Sequence, residues 1–252
     1  MIDIHSHVLW GLDDGAATLE ESLAMLQAAA EDGTTDIVAT PHSNPQYHYD
    51  SDSVTLRLGD LVSRTAGRPA IHRGCDFHLS VDNLDQLLDQ PSTYTIDGKQ
   101  YLLVEPPDFH IGKHTEGVLE RLVDTGIVPI ITHPERNPAL QGKLQRVEAW
   151  VELGCLVQVT AISITGGFGR SARRAVTQLL DRGAVHFVAS DAHDPVHRHP
   201  RLSEARRFVD QHYGAETGDL LFCLNPRGVI EGRPLPAAKL APSAPPRPWW
   251  RF

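Results

Sequence analysis

The apolar residues of this chain fall in short runs, and a segment with helical spacing follows each run. Met1–Ile4 alternates apolar and polar positions and leads straight into His5. Asp36–Thr40, Ile71–Asp76, Tyr101–Glu105, Val128–His133, Leu156–Thr160 and Val185–Ser190 are further runs of strand length, most of them rich in Val, Ile and Leu. Between them, apolar positions three and four apart predict helices over Glu20–Asp32, Val54–Thr65, Val81–Asp89, Glu116–Thr125, Val147–Leu153, Ser171–Arg182 and Leu202–Tyr213. A short helical turn is expected at Leu220–Cys223. Gly33, Gly126, Gly154 and Gly183 stand where four of these helices should stop. Seven strands alternating with helices predict an α/β fold with a parallel sheet, and 252 residues suit one closed barrel better than two domains. Residues 1–233 read as that domain. Residues 234–252 hold six of the eighteen prolines and read as a disordered tail.

The strand ends carry the chemistry. His5 and His7, two apart at the end of the first run, point the same way, and Asp13-Asp14-Gly15 brings carboxylates back on a tight turn. His42 follows the second run, Asp76 closes the third, Glu105 the fourth and His133 the fifth. Asp191 and His193 follow the last, while Leu156–Thr160 delivers no obvious ligand. In a parallel barrel all C-terminal strand ends open on one face. His5, His7, Asp14, His42, Asp76, Glu105, His133, Asp191 and His193 should therefore converge on one mouth. Mixed imidazole and carboxylate donors suit Mn²⁺, Fe²⁺ or Zn²⁺, and nine donors are enough for two or three ions.

Composition narrows the rest. A formal charge of −9 argues against nonspecific grip on nucleic acid. No apolar run reaches the ~20 residues of a membrane span, and no leader pattern precedes the first strand, so neither membrane insertion nor export is expected. Cys75, Cys155 and Cys223 have neither zinc nor disulfide spacing, which fits a reducing cytoplasm. Val81, Ala161 and Val229 stand where a Cys-x5-Arg phosphate loop would need arginine. Among the other histidines, His72 and His186 fall inside strands and His212 inside a helix. His48, His78, His110, His114, His197 and His199 fall in loops. Gly166–Gly169 reads as a flexible turn rather than a phosphate cradle.

His5-Ser-His7 with Asp13-Asp14-Gly15, Thr-Pro-His42, His133-Pro-Glu-Arg136 and Ser-Asp191-Ala-His193 together resemble the polymerase and histidinol phosphatase (PHP) superfamily. Gln158-Val-Thr-Ala161, the Gly-Phe-Gly169 loop and Asn225-Pro226 resemble its branch of bacterial tyrosine-protein phosphatases of capsule and exopolysaccharide synthesis. The resemblance covers residues 1–233. It implies a distorted (βα)7 barrel with the metal site at the C-terminal strand ends. It also implies manganese-dependent hydrolysis of phosphotyrosine by a metal-bridging hydroxide, the partner being a tyrosine kinase of the polysaccharide machinery. All nine ligands carry over, with Asp76 standing where the family has glutamate. Two family arginines map onto Arg136 and Arg198, which with His133 and Asp191 are expected to act in catalysis.

Three other readings share the same residues. A small-molecule phosphatase, such as one for histidinol phosphate, would keep every ligand and differ in the rim at Ser43–Asp50 and His110–His114. A metal-dependent amidohydrolase would need a lysine where Glu105 stands. A regulatory module without activity would have no use for the arginines. Separately, the tail's Pro245-Pro246-Arg247-Pro248-Trp249-Trp250-Arg251-Phe252 mixes cations with aromatics as membrane-edge or partner-docking segments do.

Overall fold

The computed structural model describes residues 1–79, 81–107, 111–112 and 114–235, with only the backbone described at 81–83. Nine parallel strand segments make up its walls: β1 (Ile2–Ser6), β2 (Asp36–Ala39), β3 (His42–Ser43), β4 (Ala70–Arg73), β5 (Asp76–His78), β6 (Tyr101–Glu105), β7 (Val128–Thr132), β8 (Leu156–Thr160) and β9 (Phe187–Ala189). They form a three-stranded sheet, β1-β2-β4, and a six-stranded sheet, β3-β5-β6-β7-β8-β9. Most residues of these strands are buried, which is why they read as near-continuous apolar runs.

Nine segments fill seven barrel positions because two strands are interrupted. The expected strand Asp36–Thr40 ends at Ala39, and after Pro41 the chain re-enters the wall as β3. Proline has no N–H for the ladder, so pairing cannot run through it. The expected strand Ile71–Asp76 likewise divides at Gly74-Cys75 into β4 and β5. A side chain at Gly74 would press within 2.9 Å of Val38 and 3.0 Å of Thr40. After the breaks the wall resumes in register, with His42 paired to Asp76. Closure between the first and last positions is thin. Among the described residues, those beyond β9 make it, through one bridge of Ser6 with Ala192 and the bonds His7 N–H to Ala192 O (2.8 Å), Asp191 N–H to His5 O (2.9 Å) and Ser190 N–H to Asp3 Oδ1 (3.0 Å).

Helices wrap this wall. Leu19–Glu31 starts at Thr18, whose hydroxyl accepts from Glu21 N–H, while Glu21 reaches back to Ala17 N–H at 2.7 Å. Ser51–Thr65, Val81–Asp89, His114–Asp124, Leu144–Glu152, Gly169–Asp181 and Ser203–Tyr213 follow. Short helices absent from the sequence reading occur at Pro91–Tyr94, Ala161–Thr165, Ala215–Asp219 and Asn225–Glu231. The expected turn at Leu220–Cys223 is one wide turn, Leu220–Leu224, continuous with its helical neighbours. His186 lies just before β9 rather than within a strand, His78 lies in β5, and His114 opens a helix. No helix among the described residues is long and apolar enough to cross a membrane.

The core has two parts. A large cluster joins the wall to the surrounding helices. A smaller one takes Val38, Tyr101, Leu103, Ile130, Leu156 and Phe187 from five strands and is closed by Val229 and Ile230 of the last helix. Because side chains two apart share a strand face, Tyr101 and Leu103 lead to Glu105, and Leu156 leads to Gln158. The inner face is apolar low in the barrel and polar at its mouth. Of the expected 234–252 tail, residues from 236 onward lie outside the described residues.

Candidate metal centre

All nine side chains expected at the mouth are there. Candidate donor atoms converge in four overlapping groups: His7, Asp14, His42 and His193; His5, His7 and Asp76; His5, His133 and Asp191; and His42, Asp76 and Glu105. His5 Nε2 and His7 Nε2 lie 3.3 Å apart. Asp191 Oδ1 is 3.5 Å from the first and 3.4 Å from the second. Asp76 Oδ2 stands between two groups, 3.5 Å from His5 Nε2 and 3.2 Å from His42 Nδ1. Asp14 Oδ1 is 3.4 Å from both His42 Nε2 and His193 Nε2, and Glu105 Oε1 is 3.7 Å from His133 Nε2.

The far side of three imidazoles fixes which nitrogen faces inward. His7 Nδ1 meets Asp13 Oδ2 at 2.7 Å, His5 Nδ1 meets Gln158 Oε1 at 3.1 Å, and His193 Nδ1 meets the Asp191 carbonyl at 3.0 Å. An acceptor at Nδ1 makes that nitrogen the donor and leaves Nε2 with a lone pair aimed inward, the arrangement of metal-ligating histidines. Two facing lone pairs at 3.3 Å repel each other unless a proton or cation lies between. The buried atoms Asp76 Oδ2 and His42 Nδ1 have no hydrogen bond among the described residues. Buried polar atoms are almost always paired, so unpaired ones converging on a common space fit a divalent cation. The residues present suit the ions the strand ends imply.

Electrostatics agree. Burial presses the His42 imidazole down, but the Asp14 and Asp76 carboxylates beside it, 3.4 and 3.2 Å away, outweigh it and push it up to about 11. Burial likewise opposes charge on His7, and Asp13 overrides it, raising His7 to about 9. Burial and the neighbouring Asp76 carboxylate push Glu105 up to about 8. Burial and Arg136 hold His133 down at about 3. These groups cannot all take their ordinary charge in so small a space, so protons distribute unevenly among them. Cations would displace those protons.

The backbone is bent to deliver two of these side chains. His133 (φ 31°) and Asp191 (φ 51°) are left-handed, which non-glycine residues rarely adopt. Each follows the end of a strand and turns its side chain across the mouth. Such residues cost on the order of 1–3 kcal/mol each and cluster at functional sites. The Ser190 hydroxyl accepts from Ala192 N–H at 3.1 Å and steadies the second turn.

Asp191 also faces outward. Its Oδ2 accepts from Arg136 Nη1 and from Arg198 Nη2, the latter at 2.7 Å. Both expected arginines thus stand at the rim of the donor cluster. In the Ser43–Asp50 rim the Tyr47 ring stacks near His42, centroids 6.1 Å apart. His110 lies outside the described residues, and His114 is exposed at the start of its helix.

Several residues outside the nine expected ligands support the site. Asp13 accepts from Gly15 N–H (2.9 Å) and His42 N–H (3.0 Å) besides holding His7, so one carboxylate ties three parts of the mouth. Gly15 is required because a Cβ there would collide with His7. β8, which showed no ligand, supplies Gln158 behind His5. Buried Glu135 accepts from Thr160 N–H at 2.9 Å and fixes the Arg136 turn to β8. A carboxylate next to a turn glycine, and one glutamine in an apolar strand, were the available signals.

A family model described as capsular polysaccharide synthesis, CpsB/CapC, matches residues 1–231. The chain is 30% identical over 220 residues to tyrosine-protein phosphatase YwqE of Bacillus subtilis, covering 86% of each. It superposes with a TM-score of 0.88 and 29% identity, over 100% of both chains, on a structure from work on YwqE of Bacillus subtilis and CpsB of Streptococcus pneumoniae. That work describes them as unique metal-dependent tyrosine phosphatases. A β-aspartyl dipeptidase from Fervidobacterium islandicum shares the fold alone, with a TM-score of 0.54, 14% identity and coverage of 94% of this chain and 75% of that one.

Proposed function

The chain belongs to the CpsB/CapC family of capsular polysaccharide synthesis and is a metal-dependent tyrosine-protein phosphatase, and we propose that it acts on a phosphotyrosine-bearing kinase of the polysaccharide machinery. Two or three Mn²⁺ would be held by His5, His7, Asp14, His42, Asp76, Glu105, His133, Asp191 and His193. The observation that carries this reading is the set of converging inward donors, with two arginines bonded to the outer oxygen of one of the carboxylates. Asp76 belongs to two of the donor groups despite its shorter side chain.

When bound, divalent ions polarise phosphoryl oxygens and supply an activated water at neutral pH. The chain's own residues do the rest. Asp13 and Gln158 hold His7 and His5 in the tautomer that presents Nε2. Asp191 links the donor cluster to Arg136 and Arg198, whose remaining N–H groups would meet the equatorial phosphoryl oxygens and balance charge in the transition state. A tyrosyl oxygen, with an ordinary pKa of about 10, leaves with less need for a proton than an alkyl alcohol.

Residues 1–233 constitute the phosphatase unit in this reading, since Arg233 O still accepts from Tyr101 Oη at 2.6 Å. A cytoplasmic setting fits free Cys75 and Cys155, both buried. The test is phosphate release by metal-stripped protein re-supplied with Mn²⁺, comparing phosphotyrosyl peptides with histidinol phosphate at matched concentrations. Preference for the peptides is expected. Preference for histidinol phosphate would overturn the kinase-directed reading and move the enzyme to metabolism.

A further inference from the structure

Phe168 stands apart from the other large apolar residues near the mouth. It belongs to neither core cluster, and it is partly exposed. Yet its backbone is tightly defined. It follows the short helix Ala161–Thr165 in a turn closed by Gly167 N–H to Ile162 O (2.9 Å) and Gly169 N–H to Gly166 O (3.0 Å). Gly166 (φ 96°) and Gly169 (φ 87°) flank it in conformations that favour glycine, and a Cβ at Gly167 would run into Ile162. The turn thus presents one side chain, and the Phe168 ring meets two cations. The guanidinium carbon of Arg136 is 4.3 Å from the ring centroid and that of Arg198 is 5.9 Å.

Those two cations need such a partner. Both converge on Asp191 Oδ2, while Asp191 Oδ1 faces His5 and His7. One carboxylate oxygen is weak compensation for two like charges when its other oxygen faces the donor cluster. An aromatic face carries negative quadrupole potential and attracts a guanidinium lying over it. Each guanidinium is then fixed from two directions, by the carboxylate and by the ring. Arg198 Nη2 also donates to the Asp191 carbonyl at 3.3 Å, while its buried Nε has no acceptor among the described residues.

We propose that Phe168 is a positioning residue for the phosphate grip, holding Arg136 and Arg198 side by side with their free N–H edges toward the incoming phosphoryl group. The inference rests on the reading of the two arginines given above. It assigns Phe168 no contact with metal and no packing duty in the core. Leucine, similar in bulk but lacking a π face, should not replace it. Tryptophan should.

The test uses the full, Mn²⁺-loaded chain. Hydrolysis of a phosphotyrosyl peptide and inhibition by inorganic phosphate are measured for Phe168→Leu, Phe168→Trp, Arg136→Ala/Arg198→Ala, and that double variant carrying Phe168→Leu. Phe168→Leu should raise the phosphate inhibition constant, and lower kcat/KM, by roughly 3- to 30-fold. Metal content and Tm should match the parent, and Phe168→Trp should behave like the parent. Without the arginines, Phe168→Leu should change nothing further. Parent-like inhibition in Phe168→Leu, or an equal loss in the arginine-free background, would overturn the proposal. So would a joint fall in Tm and metal content in both Phe168 variants. If removing both arginines leaves phosphate inhibition intact, the grip itself is misassigned and this inference falls with it. If that removal abolishes inhibition while Phe168→Leu does not, only the role of Phe168 is lost.

Discussion

At the N-terminal end of β2, far from the mouth along the same strands, sits a second cluster of His, Asp and Arg. Arg227 donates to both oxygens of Asp36, at 3.0 and 2.8 Å. His72 Nδ1 meets Asp97 Oδ2 at 2.8 Å, and Asp97 Oδ1 accepts from Arg73 N–H at 3.1 Å. Every carboxylate oxygen there has a donor. At the mouth the same residue types leave Asp76 Oδ2 and His42 Nδ1, 3.2 Å apart, without a hydrogen bond among the described residues and set two imidazole nitrogens face to face. Residue type therefore does not separate a metal centre from a structural clasp. The direction of each lone pair does.

The contrast can be pushed hardest at the mouth. His133→Ala and Asp191→Ala should each take metal-dependent hydrolysis to background with the fold retained, since each removes a donor and Asp191 also anchors both arginines. Circular dichroism with phosphate release checks this, and near-normal rates in either variant would unseat the site. A smaller loss is expected one layer out. Asp13→Ala should lower metal affinity or activity by about 10- to 100-fold, the usual effect of removing a carboxylate behind a ligating histidine. Metal titration would read it, and an unchanged affinity would make Asp13 a mere turn residue.

At the clasp the effects should move from activity to stability. Arg227→Ala should cost about 1 kcal/mol, because Arg227 is 40% exposed and solvent screens part of the pair. Ion content and kcat should not change; any loss of metal would mean that the two ends are coupled. The smallest effect is a dependence on pH. The Asp97 hydrogen bond, working against burial, raises His72 above its ordinary 6.5. A raised folded value makes its stabilisation complete below 6.5 and lost as pH climbs through that raised value. The Tm difference between the parent and His72→Gln should therefore shrink from about pH 6 toward alkaline conditions. A difference that grows would refute the assignment.

Much of the mouth was legible because two periodicities coincide. Short apolar runs mark strands, parallel strands share a direction, and the residue ending each run must then face the common mouth. His5, His42, Glu105 and His133 follow from that logic. The breaks at Pro41 and Gly74 did not, because a run ending in proline reads alike whether the wall stops or resumes. Side-chain direction was also hidden. Nothing in Asp13-Asp14 tells which carboxylate turns inward and which grips the neighbouring imidazole. Gln158 acts on a residue 153 positions away, a pairing that local spacing cannot reveal. The left-handed turns at His133 and Asp191 have no glycine to announce them.

The thin closure between β1 and the segment after β9 has one more consequence. His5 and His7 come from the beginning of the chain, Asp191 and His193 from near the end of the wall, and they share donor groups at that join. An ion held there acts as a reversible cross-link across a very long loop, restricting the open chain much as a disulfide would. Metal loading should thus set the order in which the barrel comes apart. In the loaded protein the amides of His7 and Asp191 should exchange with solvent no faster than the rest of the wall. In the stripped protein they should be the first to go.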